Sequence, residues 1–270
     1  MLKNGYCVVV LLFWILFSTA EQSFGTDKPT DIFDRDNLVA WCIVPFDGKK
    51  RGPAERAAMC ARLGLKKVAY DWRAEHIPTF EQEILEYKKH GLEYFAFWGQ
   101  HETAFQLFEK HGLSPQIWSM LPAAKGDSQQ AKVKHVAEQM LPLLARAKKM
   151  GSQVGLYNHG GWGGEPENMV AVCVYLQNEH QIQNVGIVYN LHHGHGHIAD
   201  FEKSLKLMQP YLHCLNLNGM NAGAKPKILS LGKGQHEAAM IAIIRKASYT
   251  GPIGILDHRS DTDTEIALRK

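Results

Sequence analysis

The residues best placed for chemistry sit where an apolar run stops. Val185 to Tyr189 is long enough for one buried strand, and it gives way to Asn190, Leu191 and then His192, His193, His195 and His197 interleaved with Gly194 and Gly196. Such a run is buried on both faces of a parallel sheet, so the polar residues at its carboxyl end are where an α/β protein presents reactive groups. Imidazoles serve two chemistries there. Neutral ring nitrogens bind divalent metals, and a side chain that titrates near neutrality moves protons. On an extended chain the alternating His193, His195 and His197 would share a face, as metal ligands do. On a glycine loop they need share nothing, and His197 then simply opens a helix.

Other apolar runs end in similar groups. Asn158-His159 leads into the glycine-rich stretch around Trp162, Asp71-Trp72-Arg73 closes an early run, and Asn216-Leu217-Asn218 and Asp257-His258-Arg259 close late ones. The amides Asn158, Asn190, Asn216 and Asn218 suit a hydroxyl-rich ligand, whose polar groups each need a partner. Trp72, Trp98, Trp118 and Trp162 lie at or near these ends, and flat aromatic faces suit the apolar faces of sugar rings. Tryptophan in a large α/β protein also serves as core packing, and both readings stand. Asp71 and Asp257 are the acidic candidates. A carboxylate at the end of a buried strand is costly unless paired, and Arg73 and Arg259 follow two residues later, as structural partners or as ligand-binding groups.

These ends must be positioned by regular elements. Apolar runs at Leu38 to Val44, Lys67 to Asp71, Tyr94 to Trp98, Gln116 to Met120, Val154 to Tyr157, Val185 to Tyr189, Leu212 to Leu217 and Ile253 to Leu256 predict strands. Helical patterns near 53–63, 79–90, 101–111, 129–149, 165–179, 197–208 and 235–247 separate them. Gly64, Gly91, Gly112 and Gly151 follow helical stretches, Thr79 and Ser128 stand as N-caps, and Pro53 and Pro166 suit first turns. Strand then helix, eight times in about 230 residues, predicts a (β/α)8 TIM barrel. A doubly wound sheet would normally carry a glycine-rich phosphate turn after its first strand, and Val44-Pro45-Phe46-Asp47 is no such turn. Only Asp261 to Lys270 follow the eighth strand, so the last helix is short or truncated. Residues 21–36, another subunit, or nothing covers that flank.

Residues 1–20 read as a signal peptide: Lys3, an apolar stretch from Tyr6 to Phe17, and small residues at Ser18-Thr19-Ala20. Residues 21–36 are a polar lead-in and 37–270 the barrel, of an exported protein in the periplasm or outside the cell. The stretch from Tyr6 to Phe17 is too short to span a bilayer comfortably, and no later one is long and apolar enough. A formal charge of +3 without a basic run speaks against nucleic acid as a partner. Cys42, Cys60, Cys173 and Cys214 lie at wide spacings inside apolar segments and are expected as free, buried thiols.

The strand ends carry a resemblance. Val154-Gly155-Leu156-Tyr157-Asn158-His159, Val185 to His193, Lys227 to Gly234 and Tyr249-Thr250-Gly251-Pro252-Ile253-Gly254, in this order, resemble the xylose isomerase-like TIM barrels. That superfamily contains sugar phosphate isomerases and epimerases and the endonuclease IV type of DNA repair enzyme. The resemblance implies a divalent metal held from strands five to eight, at positions that fall here on Tyr157, Asn190, Asn216 and Asp257. Only Asp257 keeps a carboxylate, and a phenol and two amides remove most of the charge that holds such an ion. The resemblance sets His159 and His193 beside that site. They would rebuild it with Asp257, binding one divalent metal, or serve without it. The repair branch needs a basic groove and a metal cluster, which this chain lacks.

The expectation is therefore an exported sugar isomerase or epimerase acting on a carbohydrate or keto-sugar by proton transfer. His159, His193 and Asp257 would be catalytic. Asp71, Trp72, Trp98, Asn158, Asn190, Asn216, Asn218 and Arg259 would contact substrate, and Trp162 would act as a lid. The alternatives are a non-catalytic carbohydrate-binding barrel and a glycoside hydrolase or lyase, which needs two carboxylates about one bond.

Overall fold

A computed structural model describes residues 31–269. Eight parallel strands close into a barrel in sequence order: β1 (Leu38–Trp41), β2 (Lys67–Tyr70), β3 (Glu93–Trp98), β4 (Gln116–Met120), β5 (Val154–Tyr157), β6 (Val185–Asn190), β7 (Leu212–Leu217) and β8 (Ile253–Leu256). Pairing of Leu38 through Trp41 with Ile253 through Leu256 completes the ring. The outer layer is α1 (Pro53–Arg62), α2 (Phe80–Lys89), α3 (Glu102–His111), α4 (Gln129–Lys149), α5 (Pro166–His180), α6 (Phe201–Met208), α7 (Glu237–Lys246) and α8 (Thr264–Leu268).

Side chains alternate across each strand, and the two faces feed two cores. Outward residues join the helices in one cluster, while Val39, Trp41, Ala69, Trp118, Tyr157, Val188, Cys214 and Leu256 fill the lumen. Gly155 makes room for this filling: a Cβ there would come within 2.4 Å of Val188 and 3.0 Å of Trp118. α4 begins at Ser128, whose hydroxyl accepts from the Ala131 amide at 3.1 Å, and α3 ends on left-handed Gly112. Thr79 precedes α2 without capping it, because its hydroxyl donates to the His76 carbonyl.

Several boundaries shift from the sequence reading by a residue or two, and two shift further. β1 stops at Trp41 rather than Val44, because Cys42 takes a left-handed φ of 56°. Ile43 and Val44 are nevertheless buried; an apolar run records burial, not strand pairing. α6 begins at Phe201, after two short 3₁₀ turns at Leu191–His193 and His195–His197.

The last helix is short, with Leu268 buried and Glu265 paired to Arg62. At the opposite end of the barrel Asn37 donates to the Ile32 and Gly251 carbonyls, and Asp31 pairs with Arg245. Residues 31–37 thus pack against the barrel; residues 1–30, with the expected signal, lie outside the described residues. All four cysteines from Cys42 onward are free and buried. No helix among the described residues is long and apolar enough to cross a membrane.

Candidate active site

A small well of about 70 Å³ opens at the carboxyl end of the barrel. Its floor is aromatic: Trp41 meets Trp118 edge-on at 4.8 Å, and Trp118 stacks on Tyr157 at 6.2 Å. The walls are Asp71, Arg73, Trp98, His159, His193 and His258, with Cys42 and Phe46. A wider trough of about 420 Å³ lies at the mouth, sharing His159, His193 and His258 with the well and adding His192, His195 and Lys227.

Asp71 is the most exposed to chemical interpretation. Only 2 % accessible, it follows β2 on the parity of Ala69 and so points into the lumen. Its Oδ1 accepts from the Val44 amide at 3.4 Å, while Oδ2 is buried with no hydrogen-bond partner. Burial lifts its carboxyl to about 6, against the pull of Arg73 and the Val44 amide. Arg73 donates to the Trp72 carbonyl and holds its guanidinium 5.2 Å from the Phe46 ring and 5.9 Å from Trp98.

Four imidazoles meet above this floor. His159 and His193 are 4.4 Å apart between centroids, His193 and His192 4.7 Å, and His192 stacks on His258 at 4.7 Å. His258 in turn stacks on Phe46 at 4.0 Å. Burial first, then neighbouring basic groups, drops His192 and His193 to about 3 and His258 to about 4. These three rings are neutral at neutral pH, so each offers one N–H donor.

Several sequence candidates are structural. Asp257 has the opposite parity to Leu256 and turns out of the lumen, where Thr262 and Thr264 hydroxyls donate to it at 3.2–3.3 Å. Arg259 pairs with Asp261 at 2.7 Å, away from the well. The arginine that lines the well is Arg73 instead. Trp72 faces Phe80 and Phe97, and its indole donates to the Trp98 carbonyl at 2.8 Å. Asn158 clamps the Asn190 backbone, donating to its carbonyl at 3.0 Å and accepting its amide at 2.7 Å. The Asn190 side chain donates to the Tyr157 hydroxyl and accepts the His192 amide. Trp162 donates to Gln129 and borders a side chamber of about 220 Å³ with Leu121, Tyr157 and His159, rather than covering the well.

Trp98 lines the well as expected. Asn216 and Asn218 are buried on the lumen parity of Cys214, with Asn216 Nδ2 and Asn218 Oδ1 unpartnered, yet neither borders the well. His197 is held apart by Glu165 at 2.9 Å and Asp200 at 3.2 Å; burial opposes protonation, but these two carboxylates raise its pKa. His258 and Arg73 are the site residues that the motif reading passed over as site members. Their signal was their place in the strand-end runs Asp257-His258-Arg259 and Asp71-Trp72-Arg73.

The four positions of the expected metal site do not fit a divalent ion. Tyr157 stays a neutral phenol, raised by burial and accepting the Asn190 amide, Asn190 is spent on protein partners, and Asp257 faces the threonines. Among the described residues no group of three or more His, Cys, Asp or Glu side chains is arranged to hold a metal.

No family profile matches the chain, and no curated protein does. Solved structures do. A 3-keto-D-glucoside 4-epimerase from E. coli is 14% identical over 87% of this chain and 96% of its own, with a TM-score of 0.61. D-psicose 3-epimerase from Clostridium cellulolyticum H10, solved with D-tagatose, is 10% identical over 81% and 83%, at 0.60. An AP endonuclease of family 2 from Brucella melitensis is 14% identical over 86% and 96%, at 0.59. At such identities the likeness is one of fold alone, a closed (β/α)8 barrel.

Proposed function

We propose that this barrel is a sugar isomerase or epimerase in which Asp71 moves a proton at a carbon next to a carbonyl. The observation that carries the reading is the buried Oδ2 of Asp71, without a hydrogen-bond partner, in the same well as the neutral His193. A carboxyl near 6 is mostly ionised at neutral pH and returns the proton readily, which is the balance a general base needs. A neutral imidazole donates its N–H to a carbonyl oxygen as negative charge develops there, without first giving up a proton.

In the proposed reaction Asp71 takes a proton from the carbon and the electron pair moves into a C=C bond while the carbonyl oxygen becomes an enolate. His193 holds that oxygen by a hydrogen bond. Return of the proton to the neighbouring carbon, with the adjacent hydroxyl passing its own proton to the enolate oxygen, isomerises the sugar; delivery of a proton from water to the opposite face of the same carbon, Asp71 keeping the one it took until solvent removes it, epimerises it. Arg73 and Trp98 would fix the ring, and the dry aromatic floor strengthens each charged contact. That solved sugar epimerases share the fold supports the carbohydrate class.

The test is incubation of the full chain with a panel of keto-sugars and 3-keto-glycosides in D2O. Deuterium should enter the carbon next to the carbonyl, and Asp71→Asn should stop it. Sugar binding without exchange would instead favour the non-catalytic carbohydrate-binding barrel, which the neutral Tyr157 and Asn190 at the expected metal positions motivate. The hydrolase alternative has lost its second carboxylate, because Asp257 is turned towards Thr262 and Thr264. Export belongs to the same proposal and rests on residues 1–20; amino-terminal sequencing of the mature protein would check it.

A further inference from the structure

We infer that the trough at the mouth of the barrel is a subsite for a negatively charged substituent of the sugar, a carboxylate or a sulfate ester. This deepens the carbohydrate reading above and rests on it. The trough is larger than the well, about 420 Å³ against 70 Å³, so a ring whose reacting carbon enters the well leaves its remaining substituents there. Among the described residues its polar side chains are all basic: Lys227 and the imidazoles of His159, His192, His193, His195 and His258. No carboxylate lines it. Lys227 stands on the long connection from β7 to α7, exposed and without an ion-pair partner among the described residues.

The imidazoles supply a second, independent observation. His192 Nδ1 and His258 Nδ1 are each buried without a hydrogen-bond partner and can donate as N–H, whereas the His195 ring spends its proton on the His192 carbonyl at 3.0 Å. An orphaned polar atom in a protein interior costs free energy until something satisfies it. Lys227 acts on His192, His193 and His258 alike, and no carboxylate stands among the groups that shift them. A cleft with one sign of charge and low-dielectric walls concentrates ligands of the other sign. A hydroxyl could accept one of these N–H groups, but it carries no charge to pair with the lysine. An oxyanion accepts from the two imidazoles and neutralises the lysine in a charge-assisted bond.

Binding of matched sugars to the full chain, followed by calorimetry, tests this. Methyl glucoside, methyl glucuronide and a glucose sulfate ester form the arms. At least one anionic sugar should bind about tenfold more tightly than the neutral one, and Lys227→Gln should remove most of that preference while leaving the neutral sugar unchanged. Which anionic arm prevails separates carboxylate from sulfate. The preference should weaken with added salt. Equal affinity for neutral and charged sugars, or a preference indifferent to Lys227→Gln, would overturn the anionic subsite and leave the carbohydrate reading standing. Failure of all three sugars to bind while deuterium still enters a keto-sugar would overturn the subsite alone; failure of binding and of exchange together would overturn both.

Discussion

The imidazoles of His159 and His193 stand 4.4 Å apart and tilted by 48°, one following β5 and the other β6. His193 also meets the Tyr157 ring edge-on at 5.8 Å, so the buried floor holds it while His159 remains exposed at the rim. Neighbouring strands therefore deliver two equal side chains to unequal environments, and their roles should separate.

His193→Phe keeps the ring and its packing but removes the donor. Solvent exchange into a keto-sugar should fall about 100-fold or more through kcat. His159→Asn should act mainly through KM, by a few-fold. Steady-state kinetics on the two variants checks the split, and equal effects on kcat would contradict it.

Asp71→Asn should abolish exchange yet stabilise the protein at high pH. The folded pKa of about 6 lies above the unfolded value near 3.9. The contribution of Asp71 to stability is thus fully present below about pH 4 and is lost as pH rises through 6. Denaturant unfolding should find the variant about 2–3 kcal/mol more stable than the parent at pH 8 and indistinguishable at pH 4.

His192 has the opposite sign. Its folded pKa of about 3 lies below the usual value of 6.5, so its contribution is present above pH 6.5 and lost as pH falls towards 3. His192→Phe preserves the stack on His258 and should flatten the loss of stability between pH 6.5 and 4.5. Thermal unfolding across that range would refute the assignment if both proteins declined in parallel.

Asp257→Ala separates a structural carboxylate from a reacting one. Loss of its bonds to Thr262 and Thr264 should lower stability by about 1–3 kcal/mol. Exchange per folded molecule should stay within about threefold of the parent. A large fall in kcat without loss of stability would return Asp257 to the site.

Because the donor set does not fit a divalent ion, exchange should persist after dialysis against a chelator. Elemental analysis should find no stoichiometric metal in the purified protein. A one-to-one metal that disappears in His159→Ala and His193→Ala would restore the rebuilt site.

The barrel was legible in the chain because its signals are local. Each strand is a short apolar run and each helix an amphipathic one, and their alternation admits few topologies. Cys42 shows the limit: the run through Val44 stays buried, yet a left-handed turn ends the strand at Trp41. The site was half legible. Asp71, Trp98, His159 and His193 do border the well, whereas Trp72, Asn158, Asp257 and Arg259 sit one step out of register and serve packing or strand-to-loop bonds.

The chain by itself determined that polar groups would crown a parallel barrel, since hydrophobic periodicity follows from backbone geometry that every residue carries. Only the closed barrel decided which of them face one another. His258, on a left-handed φ of 54°, borders the well while Asp257 turns to Thr262 and Thr264; past the end of β2, Asp71 and Arg73 both line the well. The burial that lifts Asp71 to about 6 and drops His193 to about 3 comes from residues distant in sequence. Desolvation depends on what surrounds a group in space, and no motif within a single segment records that.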